Sequence, residues 1–93
     1  MILSVRDKRI HELLAGRTPR RFPPDLVAAA RRRLGRLDTA AELEDLRVPP
    51  SNRLEALSGD RKGQHSIRIN RQWRICFCWT ANGPKDVEIV DYH

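Results

Sequence analysis

The sequence predicts an α+β domain, with N-terminal helices packed on one face of a mainly antiparallel, twisted sheet. Three observations lead there. Apolar residues recur at helical spacing through the first half of the chain. From residue 48 onward they alternate with a period of two. Short turn signals then divide the second half at the spacing of a meander. Ninety-three residues are enough for one core, so a single domain spans residues 1–93.

"ILSV" (2–5) reads as a short first strand. "DKRIHELLAG" (7–16) follows as a helix with Asp7 as N-cap, Ile10, Leu13 and Leu14 on one face, and Gly16 as its stop. "PPDLVAAARRRLGRLD" (23–38) is the clearest helix. Pro24 lies in its first turn, Asp25 faces the positive end of its dipole, and Leu26, Val27, Ala30, Leu34 and Leu37 form its apolar stripe. Thr39 to Glu42 has the spacing of a capping box, opening a further short helix with Leu43 and Leu46. "VPPSN" (48–52) excludes a helix and reads as an extended linker. "RLEAL" is a short strand or turn, "HSIRI" a strand, "NRQ" a hairpin connection and "WRICFCW" its partner. Asn82-Gly83 signals another turn before the last strand, "DVEIVDY".

The net charge is +6, distributed as +6 over residues 1–40, −3 over 41–60 and +3 over 61–93. A small basic domain with this pattern suggests a polyanion partner, most simply nucleic acid; charge kept for solubility is the plainer alternative. Cys76 and Cys78 stand two apart on one strand, where they are poorly placed to bond to each other. With His65 or His93 they suggest a zinc set, but the spacing matches no standard pattern, and packing is the expected role. No metal or cofactor is therefore expected. Nor is there a phosphate-loop glycine pattern or a nucleophile elbow. The N-terminus is charged from Arg6 onward, with no apolar run long enough for a signal peptide or membrane span. The expected compartment is the cytoplasm.

In the hairpin, Ile67, Ile69, Trp73, Ile75 and Phe77 form the natural inward set, so Arg68 and Arg74 point the other way. Two guanidiniums on paired strands can grip phosphate oxygens bidentately, or else sit solvated on the sheet surface. The C-terminal Asp91, Tyr92 and His93 add an acid, an aromatic and an imidazole. Strict alternation turns Asp91 inward with Val87 and Ile89, and Tyr92 outward. His93 carries the α-carboxylate, which favours its imidazolium, while nearby arginines oppose it. RNA cleavage without a metal needs a base for the 2′-hydroxyl proton, cations for the phosphorane and an acid for the leaving oxygen. Arg68, Arg74, Asp91, Tyr92 and His93 are the candidates for these roles. The competing expectation is a plain strand end packed on the sheet.

The run "VPPSNRLEALSGDRKGQHSIRINRQWRICFCW", the terminal "VEIVDYH" and the preceding "FPPDLVAAARRRLGRLDTAAELEDLR" resemble the HigB branch of the RelE superfamily of bacterial toxins. That resemblance implies a compact RelE-like fold and a metal-independent endoribonuclease that cuts mRNA on the 70S ribosome. It also implies a helix-turn-helix antitoxin of the HigA type, which inhibits the toxin and brings it to operator DNA only as a complex. Arg74 matches an arginine implicated in holding the scissile phosphate. Asp91, Tyr92 and His93 match the terminal residues implicated in catalysis or substrate contact. Arg61 and Lys62 fall in a basic loop expected to meet ribosomal or messenger phosphates, and Arg31 and Arg32 supply a basic helix surface for RNA. Some relatives carry histidine at the position of Glu55 and lysine at that of Ser58, so either Glu55 or Asp91 is the expected base and His93 the acid. A basic module that binds RNA or the ribosome and blocks translation without cutting is the second hypothesis. A DNA-binding repressor is the third, and no convincing helix-turn-helix supports it.

Overall fold

The computed structural model describes residues 1–92. Two helices, α1 (Arg9–Leu14) and α2 (Val27–Thr39), precede four strands: β1 (Glu55–Ala56), β2 (His65–Arg68), β3 (Trp73–Thr80) and β4 (Gly83–Asp91). The strands form one antiparallel sheet in the order β1-β2-β3-β4. The α+β expectation holds. Among the described residues no helix is long and apolar enough to cross a membrane.

Alternation along β3 and β4 gives the sheet two different faces. Ile67, Ile69, Ile75, Phe77, Val87 and Ile89 are buried, and they join Ile10, Leu13, Ala30, Leu34 and Leu37 from the helices in one core. Residues of the opposite parity are left facing away from the helices. Register fixes them in cross-strand rows: Glu55–Ser66–Cys76–Glu88, then Arg68–Arg74–Val90.

The N-terminal segment "ILSV" lies beside β4 but makes only a single parallel bridge, Val5 to Val87. Leu3 donates to the Pro84 carbonyl at 2.8 Å, and Val87 donates to Ser4 at 3.1 Å. Pro84 has no N–H to return, which limits the ladder. The first helix buries Ile10 and Leu13 but leaves Leu14 exposed, and the chain turns after it at Gly16 with φ of +85°.

Two local expectations are corrected. The Thr39–Glu42 capping box does not form. Thr39 ends α2 and its hydroxyl donates to the Gly35 carbonyl at 3.0 Å. The box that forms is Glu42 with Asp45, opening a 3-10 turn over Leu43–Arg47 with Leu46 buried. "VPPSN" is not an extended linker either, since Pro50–Asn52 makes a 3-10 turn. Pro50 occupies a first position that needs no N–H. Asn52, fully buried, donates to the carbonyls of Leu46 (3.0 Å) and Val48 (3.2 Å) and accepts from Arg33 at 2.6 Å. One amide thus pins this connection to α2.

Asp7 ties α1 to the sheet. Its carboxylate accepts the Arg9 backbone N–H at 3.1 Å and the Arg9 guanidinium at 2.7 Å, and Arg9 also reaches the Ile89 carbonyl. Burial would raise the Asp7 pKa, but the hydrogen bonds and charge of Arg9 outweigh it and hold the carboxyl below its ordinary value. A depressed folded pKa contributes stability above the unfolded pKa, and that stability is lost as pH falls through the folded one. Asp7→Asn is expected to cost about 1–2 kcal/mol near neutral pH. Urea denaturation at several pH values should show this gap in full above about pH 5, closing as pH falls through the depressed value of the folded carboxyl.

Candidate functional site

The face turned away from the helices is organised around Arg74. Its position near the start of β3, paired on both sides by β2 and β4, leaves the residue only 8% exposed, unusual for a guanidinium. A charge so placed is tolerated only where its donors are matched. Arg74 Nε donates to Ser66 Oγ at 2.8 Å and Nη2 to the Arg53 carbonyl at 2.7 Å. Nη1 lies 3.3 Å from Glu55 Oε1. The guanidinium carbon sits 5.6 Å from the centroid of the Tyr92 ring, within cation–π range.

Each partner arrives by a different route. Ser66 is the neighbour of Ile67 on β2, turned outward by alternation and fully buried beneath the guanidinium. Glu55 stands on the edge strand directly across from Ser66. Arg53 follows the Pro50–Asn52 turn in a left-handed conformation (φ 46°), which aims its carbonyl at Arg74. Tyr92 is held by its backbone N–H, which donates to the Gln72 carbonyl as β4 closes along β3. The C-terminal strand therefore does pair with the hairpin that carries Arg74.

Arg68 is the direct cross-strand partner of Arg74, as expected of the hairpin. Their heads part: Arg68 Nε donates to the Asn70 carbonyl at 3.0 Å, toward the turn, while Arg74 leans toward Ser66 and Arg53. That divergence relieves the repulsion of two like charges placed opposite one another. Asp91 pairs in register with Trp73, on the parity of the core-facing residues, and accepts from the Gln72 side chain at 3.1 Å. Strand geometry thus sets Asp91 on the face opposite to Arg74. His93 lies outside the described residues.

Arg61 reaches the same face from the loop after β1. It donates to Glu88 at 2.7 Å and to Gln64 at 3.0 Å. The Glu88 hydrogen bond raises the Arg61 pKa against the opposing effect of burial. Lys62 beside it is exposed. Beneath Arg61 and Arg74 lies Cys76, fully buried, whose thiol pKa burial pushes up. Such a thiol stays protonated and behaves as packing. Among the described residues no group of three His, Cys, Asp or Glu side chains gathers around a possible metal position. Arg31 is engaged elsewhere, donating to the Leu13 carbonyl at 2.9 Å and so closing the end of α1; Arg32 is exposed on α2.

The sequence reading missed Ser66 and the Arg53 carbonyl. Alternation alone exposes Ser66 as the outward neighbour of Ile67, so that residue was within reach. A backbone acceptor has no side-chain signature, and nothing in the composition of "PSNRL" announces it.

A family model described as RelE-like toxin of type II toxin-antitoxin system HigB matches residues 4–93. The chain is 40% identical over 80 residues to Toxin HigB-1 of Vibrio cholerae serotype O1, covering 85% of this chain and 84% of that one. It is 31% identical over 93 residues to Endoribonuclease HigB of Proteus vulgaris, covering both chains completely. The α+β architecture is consistent with a RelE-like domain, and with the match running over nearly the whole chain, this protein belongs to the HigB-like toxins of type II toxin–antitoxin systems.

Proposed function

We propose that this protein is a ribosome-dependent endoribonuclease that cuts mRNA by metal-independent acid–base chemistry, with Arg74 holding the scissile phosphate. The observation that carries the reading is the Arg74 guanidinium, fixed in a sheet face beside a carboxylate at 3.3 Å and an exposed aromatic ring at 5.6 Å. The name of the Proteus vulgaris relative, Endoribonuclease HigB, supports the same activity.

In this scheme the 2′-hydroxyl oxygen attacks the adjacent phosphorus while its proton passes to a carboxylate. The P–O5′ bond breaks, the departing oxygen takes a proton from His93, and a 2′,3′-cyclic phosphate remains. Glu55 is the better base of the two candidates, because it stands beside Arg74 whereas Asp91 keeps the parity of the opposite face. In the free protein Glu55 occupies the place on Arg74 that a phosphate oxygen would take. An arriving phosphodiester displaces it and leaves its carboxylate next to the nucleophile. Tyr92, 44% exposed, offers a ring on which a base can stack. Arg68, Arg61 and Lys62 add cationic charge around the strand, and Asp91 orients the terminus through Gln72. Codon preference is not encoded by phosphate contacts.

The proposed setting is the cytoplasm and the translating 70S ribosome. A HigA-type helix-turn-helix antitoxin inhibits the toxin and carries it to operator DNA as a complex. Arg31 and Arg32 are proposed to meet ribosomal RNA with whatever donors remain after Arg31 closes α1.

Induced expression followed by primer extension on a reporter mRNA tests cleavage directly. Discrete new 5′ ends are expected; uniform inhibition with intact message would favour a module that blocks translation without cutting. On programmed ribosomes, Arg74→Ala is expected to slow cleavage about 10²–10³-fold. Arg74→Lys should recover only part of that loss, since an ammonium keeps the charge but not the planar fork. Glu55→Gln and His93→Ala should each slow the single-turnover step by about 10²–10⁴-fold with circular dichroism unchanged. Full activity in His93→Ala would remove the acid from the scheme.

A further inference from the structure

Beside the Arg74 face lies a concavity of about 430 Å³. Arg33, Arg53, Arg68 and Arg71 line it together with Ser51, buried Ile69 and Asn70, whose oxygens already accept from Arg68, Gln72 and Trp73. No carboxylate among the described residues is part of that lining. Four guanidiniums around one cleft repel each other unless an anion lies between them.

Donors in this cleft outnumber acceptors. Arg33 bonds Asn52 at 2.6 Å and Ser51 at 3.3 Å, yet its buried Nε has no hydrogen-bond partner. Burial, reinforced by its helix neighbours Arg32 and Arg36, pushes the Arg33 pKa down. Arg71 is exposed on the hairpin connection, and among the described residues Arg68 bonds a backbone carbonyl, that of Asn70.

The cleft is joined to Arg74 through two residues. Arg53, in its left-handed turn, gives its carbonyl to Arg74 and also lines the cleft. Arg68 is the cross-strand neighbour of Arg74 and also lines the cleft. A strand with one phosphate at Arg74 therefore has its flanking backbone directed along this row of arginines. We propose that the Arg33–Arg53–Arg68–Arg71 cleft is a phosphate subsite, holding the RNA backbone next to the phosphodiester at Arg74. The proposal rests on the reading of the Arg74 face as the RNA-cleaving site. Its place beside that face favours an RNA backbone over an acidic peptide of the antitoxin, which is the other polyanion with matching charge.

The test is binding of a 2′-O-methyl RNA oligonucleotide, which lacks the nucleophilic hydroxyl and stays intact, followed by fluorescence anisotropy over a salt series. Arg53→Gln and Arg71→Gln alter exposed side chains, and Lys85→Gln, on the far end of the β3–β4 hairpin, removes the same charge outside the cleft. Each cleft variant should weaken binding about tenfold and lower the salt slope by about 0.7, against less than about twofold for Lys85→Gln. Equal losses in all three would overturn the subsite, as would unchanged RNA binding with weakened antitoxin binding. Because this oligonucleotide cannot be cut, the result is independent of whether primer extension finds cleavage.

Discussion

A guanidinium buried in the outward face of a sheet is the constraint on which the site depends. Arg74 is 8% exposed, and leaving such a charge unmatched would cost several kcal/mol. Its partners come from four separate stretches: Ser66 on β2, the Arg53 carbonyl after a 3-10 turn, Glu55 on the edge strand and Tyr92 beyond β4. Holding Arg74 therefore holds those stretches in register with each other. The buried amide of Asn52 acts one step further out, because it fixes the turn that presents the Arg53 carbonyl.

The same arrangement separates permanent from replaceable partners. Ser66 is fully buried and the Arg53 carbonyl is a short, direct acceptor, so both hold the guanidinium in place. Glu55, with a side chain 53% exposed, and Tyr92, 44% exposed, stand on the solvent side. An anion arriving from solvent meets a group whose orientation is already set, which is how fixed donors stabilise charge without reorganising. Cys76 lies under this layer, fully buried, and its protonated thiol acts as packing.

Much of this was legible because alternation is robust. Placing Ile67, Ile75 and Phe77 in the core dictates that Ser66, Arg68 and Arg74 face outward, and the register of β4 follows from Val87 and Ile89. The same alternation correctly set Asp91 on the core-facing parity. Local choices were harder. Thr39–Glu42 and Glu42–Asp45 have the same spacing, and only the continuation of α2 through Thr39 decides between them. A Pro-Pro pair breaks an α-helix, yet Pro50 also suits the first position of a 3-10 turn that Asn52 then secures. The arginine cleft was beyond sequence reasoning altogether, since Arg33, Arg53 and Arg71 come from a helix, a turn and a hairpin connection that meet only in three dimensions.

The central claim is most directly tested by a structure of the toxin on a ribosome programmed with mRNA carrying a 2′-O-methyl group at the cleavage position. The account predicts a phosphate oxygen about 3 Å from the Arg74 guanidinium, with Ser66 and the Arg53 carbonyl still bound and Glu55 displaced. A scissile phosphate bound away from Arg74, with the Glu55 pair intact, would contradict it.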